Sequence, residues 1–114
     1  MASNYTPFRP SQGTTKTLSA TGTSGNVTFD AKDVSASTAN AGTIGGHSVI
    51  RAYNAGTAIV FVRWGVGAQT ATTADMPLIP GVVEVFSKAW QDDTFAGITG
   101  SGTATVYVTP GEGV

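Results

Sequence analysis

The feature that most constrains the fold is an apolar run at residues 48–65, SVIRAYNAGTAIVFVRWG. The two faces of its second half are Val60, Val62 and Trp64 on one side and Ile59, Phe61 and Arg63 on the other. Because successive strand side chains point to opposite faces, one face is fully apolar and the other mostly apolar. Such a strand is typical of the middle of a sandwich or barrel, where both faces are covered.

A tight reversal is predicted in the middle of this run, at Asn54-Ala55-Gly56. Asn and Gly tolerate the positive φ angles that a short hairpin loop requires. We therefore expect residues 48–65 to form one hairpin, with its two arms paired to each other.

Short segments that alternate apolar and polar residues recur along the rest of the chain, with turn residues between them. The further predicted strands are residues 14–20, 26–30, 82–87, 94–99 and 103–109, the last two as a closing hairpin. Between them, residues 31–46 predict a long loop, and the apolar residues at 76–80 predict a plug across an open end. This spacing predicts an all-β fold, an antiparallel β-sandwich or jelly roll of seven to eight short strands.

The N-terminal residues 1–13, MASNYTPFRPSQG, predict an extended arm in front of a single β-sandwich domain of residues 14–114. Pro7 and Pro10 lack the N–H that a sheet or helix interior needs. Tyr5 and Phe8 are apolar enough to pack against something, and the sequence leaves open whether that is their own domain or a neighbour.

Charged residues are scarce, at 11% of the chain with a net charge of −1, against about 25% in typical soluble domains. The six Lys and Arg residues are scattered, which argues against nucleic-acid binding. With no cysteine, neither disulfides nor thiolate metal sites are expected. The sequence predicts no membrane span and no signal peptide, so we expect synthesis in a cytoplasm. A surface this poor in charge favours self-association or docking onto a neutral partner.

Chemistry-bearing motifs are absent from the sequence, so we predict no catalytic, cofactor or metal site and no enzyme activity. His47 is the only histidine, and it follows two glycines as a surface turn residue would. No nucleophile elbow surrounds any serine. Asp92-Asp93 could hold calcium together with backbone carbonyls, but a solvated pair in a turn is the more common arrangement.

The sequence predicts different locations for the two tryptophans, and it leaves two alternatives for the arginines of the central run. Trp64 is in phase with the apolar face of its strand, so we expect it in the core. Trp90 has polar neighbours and is a candidate contact with another molecule; an aromatic plane such as Trp90 or Tyr107 can also stack on a sugar ring. Arg51 and Arg63 are expected either at a rim or as ion-pair partners of Glu84.

Three segments of the C-terminal half resemble small virion proteins of tailed bacteriophages: residues 54–67 (NAGTAIVFVRWGVG), 71–86 (ATTADMPLIPGVVEVF) and 96–113 (AGITGSGTATVYVTPGEG). In those proteins, a strand ending in Val-Arg-aromatic-Gly precedes a Pro-x-x-Pro-Gly strand entry. A terminal Thr-Ala-Thr-Val-Tyr-Val-Thr-Pro-Gly-Glu-Gly segment follows. The resemblance covers about half of the chain and none of its N-terminal half.

This resemblance implies a capsid decoration or cement protein, a structural virion protein that binds the outside of an assembled capsid and stabilises it. The implied partners are the major capsid protein and further copies of the chain, with assembly in the host cytoplasm and final location on the capsid surface. The arm and residues 31–46 are expected to contact neighbours. The expected contact residues are Tyr5, Phe8, Arg9, His47 and Trp90. The alternatives are another phage component, such as a fibre base or tail protein, and a carbohydrate-binding β-sandwich module.

Overall fold

The computed structural model describes residues 7–30, 48–89 and 91–112. Within these ranges the chain forms strands and turns, with no helix, and hence none that could cross a membrane. The strands are β1 (Arg9–Pro10), β2 (Lys16–Ala20), β3 (Gly25–Thr28), β4 (Val49–Asn54), β5 (Val60–Gly65), β6 (Met76–Leu78), β7 (Val83–Ser87), β8 (Thr94–Thr99) and β9 (Ala104–Glu112).

These strands form two antiparallel sheets packed face to face. In the first sheet, β1 and β2 lie one after the other along the same edge of β9, and the order continues β9-β4-β7. The second sheet has the order β3-β8-β5-β6. From β2 onward the chain therefore builds two layers, each four strands wide, in the interleaved order of a jelly roll. The predicted fold class is confirmed.

The predicted hairpin at residues 48–65 is wrong, although both of its strands exist. Strand β4 pairs with β7 and β9 in the first sheet, whereas β5 pairs with β6 and β8 in the second. The turn after Asn54 is therefore an arch between the sheets. The predicted closing hairpin is wrong in the same way, because β8 and β9 also lie in different sheets. An alternating pattern determines the faces of a strand but not its neighbours.

The core lies between the inner faces of the sheets, and the predicted faces of β5 and β9 are confirmed. Val60, Val62, Val106 and Val108 are buried. Trp64 is half-buried and packs against this core. Its ring centroid lies 4.9 Å from that of Phe86 and 6.0 Å from that of Phe95. The other buried apolar residues of the cluster are Leu18, Ala20, Phe29, Ile50, Ala52, Leu78, Phe95 and Ala104.

The segment around residues 76–80 is not the predicted plug, because its first three residues form the edge strand β6. Leu78 lies opposite Val60 and is buried, while Met76 lies opposite Val62 at the open edge and is 45% exposed. The segment is thus paired to β5 as a strand, and only its Leu78 side chain enters the core.

The last strand continues past the predicted end at Thr109, through Pro110, to Glu112. Ala55 N–H donates to Thr105 C=O at 2.8 Å, so the odd-numbered residues of β9 are those that bond to β4. Pro110 is even-numbered, and its missing N–H therefore costs no bond to β4. Its C=O faces the other edge, where it accepts from Ser11 N–H at 2.8 Å.

Residues 66–75 fold over the outer face of the second sheet. The Asn26 side chain donates to Gln69 C=O at 3.0 Å and accepts from Gln69 N–H at 2.9 Å. Ser24 Oγ accepts from Ala71 N–H at 2.8 Å, and Ala71 is buried. Under this loop Ala96, on the outer side of β8, is fully buried. Part of the cover expected for the second sheet thus comes from the chain itself.

Candidate interaction surface

The outer face of the first sheet carries exposed aromatic and aliphatic side chains. Register places Tyr107, Tyr53 and Val83 in one row across β9, β4 and β7. These three residues are 42%, 39% and 40% exposed. The two tyrosine rings stack, with centroids 6.4 Å apart and planes at 14°. Together with Arg51 and Val85 in the next row, they form what we call the tyrosine face.

Arg51 lies beside this row, with Val85 opposite it on β7 and Thr109 opposite it on β9. Its side chain is exposed and has no hydrogen bond or ion pair with the described residues. Arg51, Tyr53, Val83, Tyr107 and Thr109 line a shallow depression of about 290 Å³. Tyrosine and arginine on an apolar background are enriched at the centres of protein interfaces.

The described arm residues extend this face. A Cβ added at Gly111 would lie 2.8 Å from Phe8 Cζ, so the half-buried Phe8 ring packs over the bare backbone of Gly111. Phe8, Thr109 and Arg51 line one further depression of about 300 Å³. The described part of the arm therefore lies on its own domain, next to the tyrosine face.

Of the other predicted contact residues, Arg9 is exposed in β1, opposite Glu112 of β9. Tyr5, His47 and Trp90 lie outside the described residues. The structure thus brings Phe8 and Arg9 together at one edge of the first sheet.

A second apolar area lies on the outer face of the second sheet, beyond the part covered by residues 66–75. Pro77, Phe61 and Ile98 form one row across β6, β5 and β8, and Ile59 and Ile79 are exposed. We call these five residues the isoleucine end. A depression of about 480 Å³ beside Ile59 and Phe61 is lined only by uncharged residues.

The acidic residues in the described ranges do not converge. No group of three or more His, Asp or Glu side chains there could hold a metal. Asp93 Oδ1 accepts from Gly67 N–H at 2.9 Å and from Thr94 Oγ1 at 2.9 Å. Asp92 Oδ2 accepts from Ala89 N–H at 3.0 Å. Asp92 and Asp93 each accept an exposed backbone hydrogen bond at the surface of the domain.

Neither arginine of the central strands is a partner of Glu84. Glu84 lies opposite the buried Ala52, so it points to the inner side of the first sheet, whereas Arg51 points outward. Arg63 Nε instead lies 3.6 Å from Asp75 Oδ1, and its Nη1 donates to Thr70 C=O at 3.1 Å. Both arginines are exposed, but of the two only Arg51 has no hydrogen bond or ion pair with the described residues.

Most of the tyrosine face was missed by the sequence analysis. For Tyr107 the sequence predicted only a possible sugar contact, and for Tyr53 it predicted no role. The sequence does contain one signal for this face, the alternation of side chains along β4. Arg51 and Tyr53 alternate with the apolar Ile50 and Ala52, which indicates that they face outward. Their alignment with Tyr107 depends on the β4–β9 pairing, which the chain order does not reveal.

Fold and surface together define a small jelly-roll domain whose described part offers open apolar faces instead of a cleft. No protein-family model, curated protein or solved structure matches this chain.

Proposed function

We propose that this chain is a structural protein of a tailed-bacteriophage virion that binds the outside of the assembled capsid and stabilises it. The observation that carries the proposal is the tyrosine face, an exposed aromatic area with an arginine that has no partner among the described residues. The resemblance of the C-terminal half to small virion proteins, described above, is the second support.

In this proposal the tyrosine face contacts the major capsid protein. Burial of the exposed parts of Tyr53 and Tyr107 contributes roughly 1–2 kcal/mol for each ring. The planar guanidinium of Arg51 adds several N–H donors, which fit a carboxylate or backbone carbonyls of the shell. The low charge of the chain lets neutral surfaces meet without strong repulsion.

A protein that fills a seam of a lattice contacts more than one subunit. The isoleucine end lies on the opposite sheet from the tyrosine face, so the two areas can meet different neighbours. Because the complete seam exists only in the assembled lattice, binding favours the assembled state by mass action. A concentration one hundred times the Kd stabilises each occupied site by about 2.7 kcal/mol.

Co-sedimentation with empty capsids of the parent phage tests the proposal. We expect saturable binding, with a copy number in fixed ratio to the major capsid protein. A protein that stays in the supernatant at every concentration would refute it. Binding at only a few copies for each particle would instead favour the alternative of a fibre base or tail component.

Carbohydrate binding is a second candidate, favoured by one observation. The parallel rings of Tyr53 and Tyr107 border the 290 Å³ depression together with Arg51, and aromatic rings and polar groups in such an arrangement suit a sugar. A glycan array distinguishes the candidates: binding that is lost in Tyr107→Ala would support this function, and an array without hits would dismiss it.

A further inference from the structure

In the described part of the chain, the strand β7 lies at an open edge of the first sheet. Among the described residues, it pairs only with β4. It spans Val83–Ser87 and contains no proline and no lysine. An edge of this kind offers a row of free backbone N–H and C=O groups to another strand.

The other edges are less suited to pairing. On the far side of the first sheet, β1 is two residues long and contains Pro10, and β2 begins with Lys16, a charged residue of the kind that discourages edge pairing. In the second sheet, β6 is three residues long and contains Pro77. Its other edge, β3, is four residues long and carries the anchor of residues 66–75 at Asn26. Short strands and prolines are common ways of preventing edge pairing.

The free groups of β7 belong to its odd-numbered residues. Lys88 N–H donates to Ser48 C=O at 2.8 Å, and Asn54 N–H donates to Val82 C=O at 3.2 Å. In an antiparallel ladder the bonded pairs alternate, so the even-numbered residues of β7 bond to β4. Val83, Val85 and Ser87 therefore direct their N–H and C=O groups to the open edge.

We propose that two copies of this chain pair through β7 about a two-fold axis at Val85. Val85 then lies opposite Val85 of the second copy, and Val83 opposite Ser87. In each strand, the three residues whose N–H and C=O groups point to the open edge then lie opposite the same three residues of the other copy. This pairing gives about six backbone hydrogen bonds. A two-fold interface uses the same patch on both copies, and this strand is complementary to itself.

Glu84 selects this register. The first sheets of the two copies form one continuous inner face only if inward-facing residues lie opposite inward-facing residues. The register can therefore shift only by two residues at a time. One such step places Glu84 opposite Glu84 of the second copy, and like charges directly opposite are destabilising. The step in the other direction places Phe86 opposite itself and leaves only about four hydrogen bonds. In the Val85 register Glu84 lies opposite Phe86.

The pairing joins the first sheet of one copy to the first sheet of the other, so that they form one continuous sheet. Val85 of each copy then bridges the two tyrosine faces on the same outer surface. A partner that recognises one tyrosine face would meet two, and two linked contacts bind more tightly than one. The pairing itself does not depend on the proposed function, since it involves this chain alone.

Cysteine cross-linking tests the register directly, because the chain contains no cysteine. Bonded antiparallel pairs have Cα atoms about 5.5 Å apart, which suits a disulfide. Under mild oxidation we expect Val85→Cys to form a covalent dimer. Val83→Cys mixed with Ser87→Cys should yield the heterodimer, in excess of either self-linked product. The matched control is Val66→Cys in an outer loop, where Val66 is 61% exposed. Cross-linking of Val85→Cys no faster than this control would overturn the proposal.

A measurement on the protein without cysteine completes the test. Sedimentation equilibrium should show a monomer–dimer equilibrium, and Val85→Pro should weaken it at least about tenfold, since proline removes an N–H that bonds only across the interface. Val85→Thr keeps that N–H and should still dimerise. If Val85→Pro does not fold, hydrogen exchange of the unaltered chain decides: protection of the Val83, Val85 and Ser87 amides must rise with protein concentration. Protection that appears only when capsids are added would show that another protein's strand occupies this edge, and would refute self-pairing.

Discussion

Asn54 is the residue at which the chain leaves the first sheet for the second. Its side chain is fully buried. Its amide N–H groups donate to Ala58 C=O at 2.9 Å and Leu78 C=O at 2.8 Å, and its Oδ1 accepts from Gly56 N–H at 2.9 Å. One side chain thus satisfies three backbone groups on β6 and on the arch between the sheets.

Replacement of Asn54 by Ala should therefore destabilise the fold. It leaves buried polar groups unpaired, and we expect the free energy of unfolding to fall by about 2–4 kcal/mol. Urea denaturation followed by circular dichroism measures the change. Thr57→Ala, an exposed position in the same arch, is the control and should change stability by less than about 0.5 kcal/mol. Equal effects of the two substitutions would contradict this role.

Gly97 is required for close packing between the sheets. A Cβ at this position would lie 2.8 Å from Leu18 Cδ2 and 2.9 Å from Val60 Cγ1. Gly97→Ala should lower the free energy of unfolding by about 1–3 kcal/mol, because both contacts are inside a packed core. Thermal unfolding compared with Gly22→Ala provides the check, since a Cβ at Gly22 meets nothing within 4 Å. A tolerated Gly97→Ala would mean that Leu18 moves aside at little cost.

At the residue scale, the sequence predicts which side of a strand is buried but not which distant groups a side chain satisfies. The inward positions of Val60 and Val106 follow from local alternation. The bond of Asn54 to the carbonyl of Leu78 joins residues 24 positions apart. An Asn-Ala-Gly sequence is equally typical of a hairpin turn and of an arch between sheets, so its role required the structure.

Residues 66–75 act as a strap across the second sheet, anchored at Asn26 and Ser24. Asn26→Ala removes two hydrogen bonds from this anchor, and we expect a loss of about 1–2 kcal/mol. The amides of Gln69 and Ala71 should exchange faster, which nuclear magnetic resonance can follow residue by residue. Thr28→Ala, on the same strand and also exposed, should leave those two exchange rates unchanged. Unaltered exchange in the Asn26 variant would show that the strap is held by other contacts.

At the element scale, strand positions could be predicted and strand partners could not. Residues 82–87 and 94–99 were predicted as strands and contain β7 and β8. Their partners depend on pairings between remote parts of the chain, such as Leu18 with Val106. The extension of β9 through Pro110 was also hidden, because proline stops a strand only where its N–H is needed.

At the scale of the whole molecule, the proposed function requires the tyrosine face to contact the capsid. The double substitution Tyr53→Ser and Tyr107→Ser removes both exposed rings and leaves the core unchanged. We expect capsid affinity to fall at least about tenfold, which corresponds to about 1.4 kcal/mol. Co-sedimentation measures the affinity, and Val66→Ser, on an outer loop of the second sheet, is the control. Affinity equal to that of the unaltered protein would exclude this face from the contact.

The candidate surface was largely beyond the reach of the sequence. Tyr53 and Tyr107 are neighbours only because β4 pairs with β9 in one particular register. Phe8 was predicted as a contact residue from its apolar character, but its position over Gly111 depends on the strand that continues past Pro110. Only the low charge of the chain was visible from its composition.

The most direct measurement is the thermal stability of empty capsids titrated with the purified protein. If the chain binds and stabilises the assembled shell, the capsid transition should shift upward and level off at a fixed ratio to the major capsid protein, and the variant without both tyrosines should require at least about tenfold more protein. A capsid transition that stays constant while the protein remains unbound would contradict the proposed function.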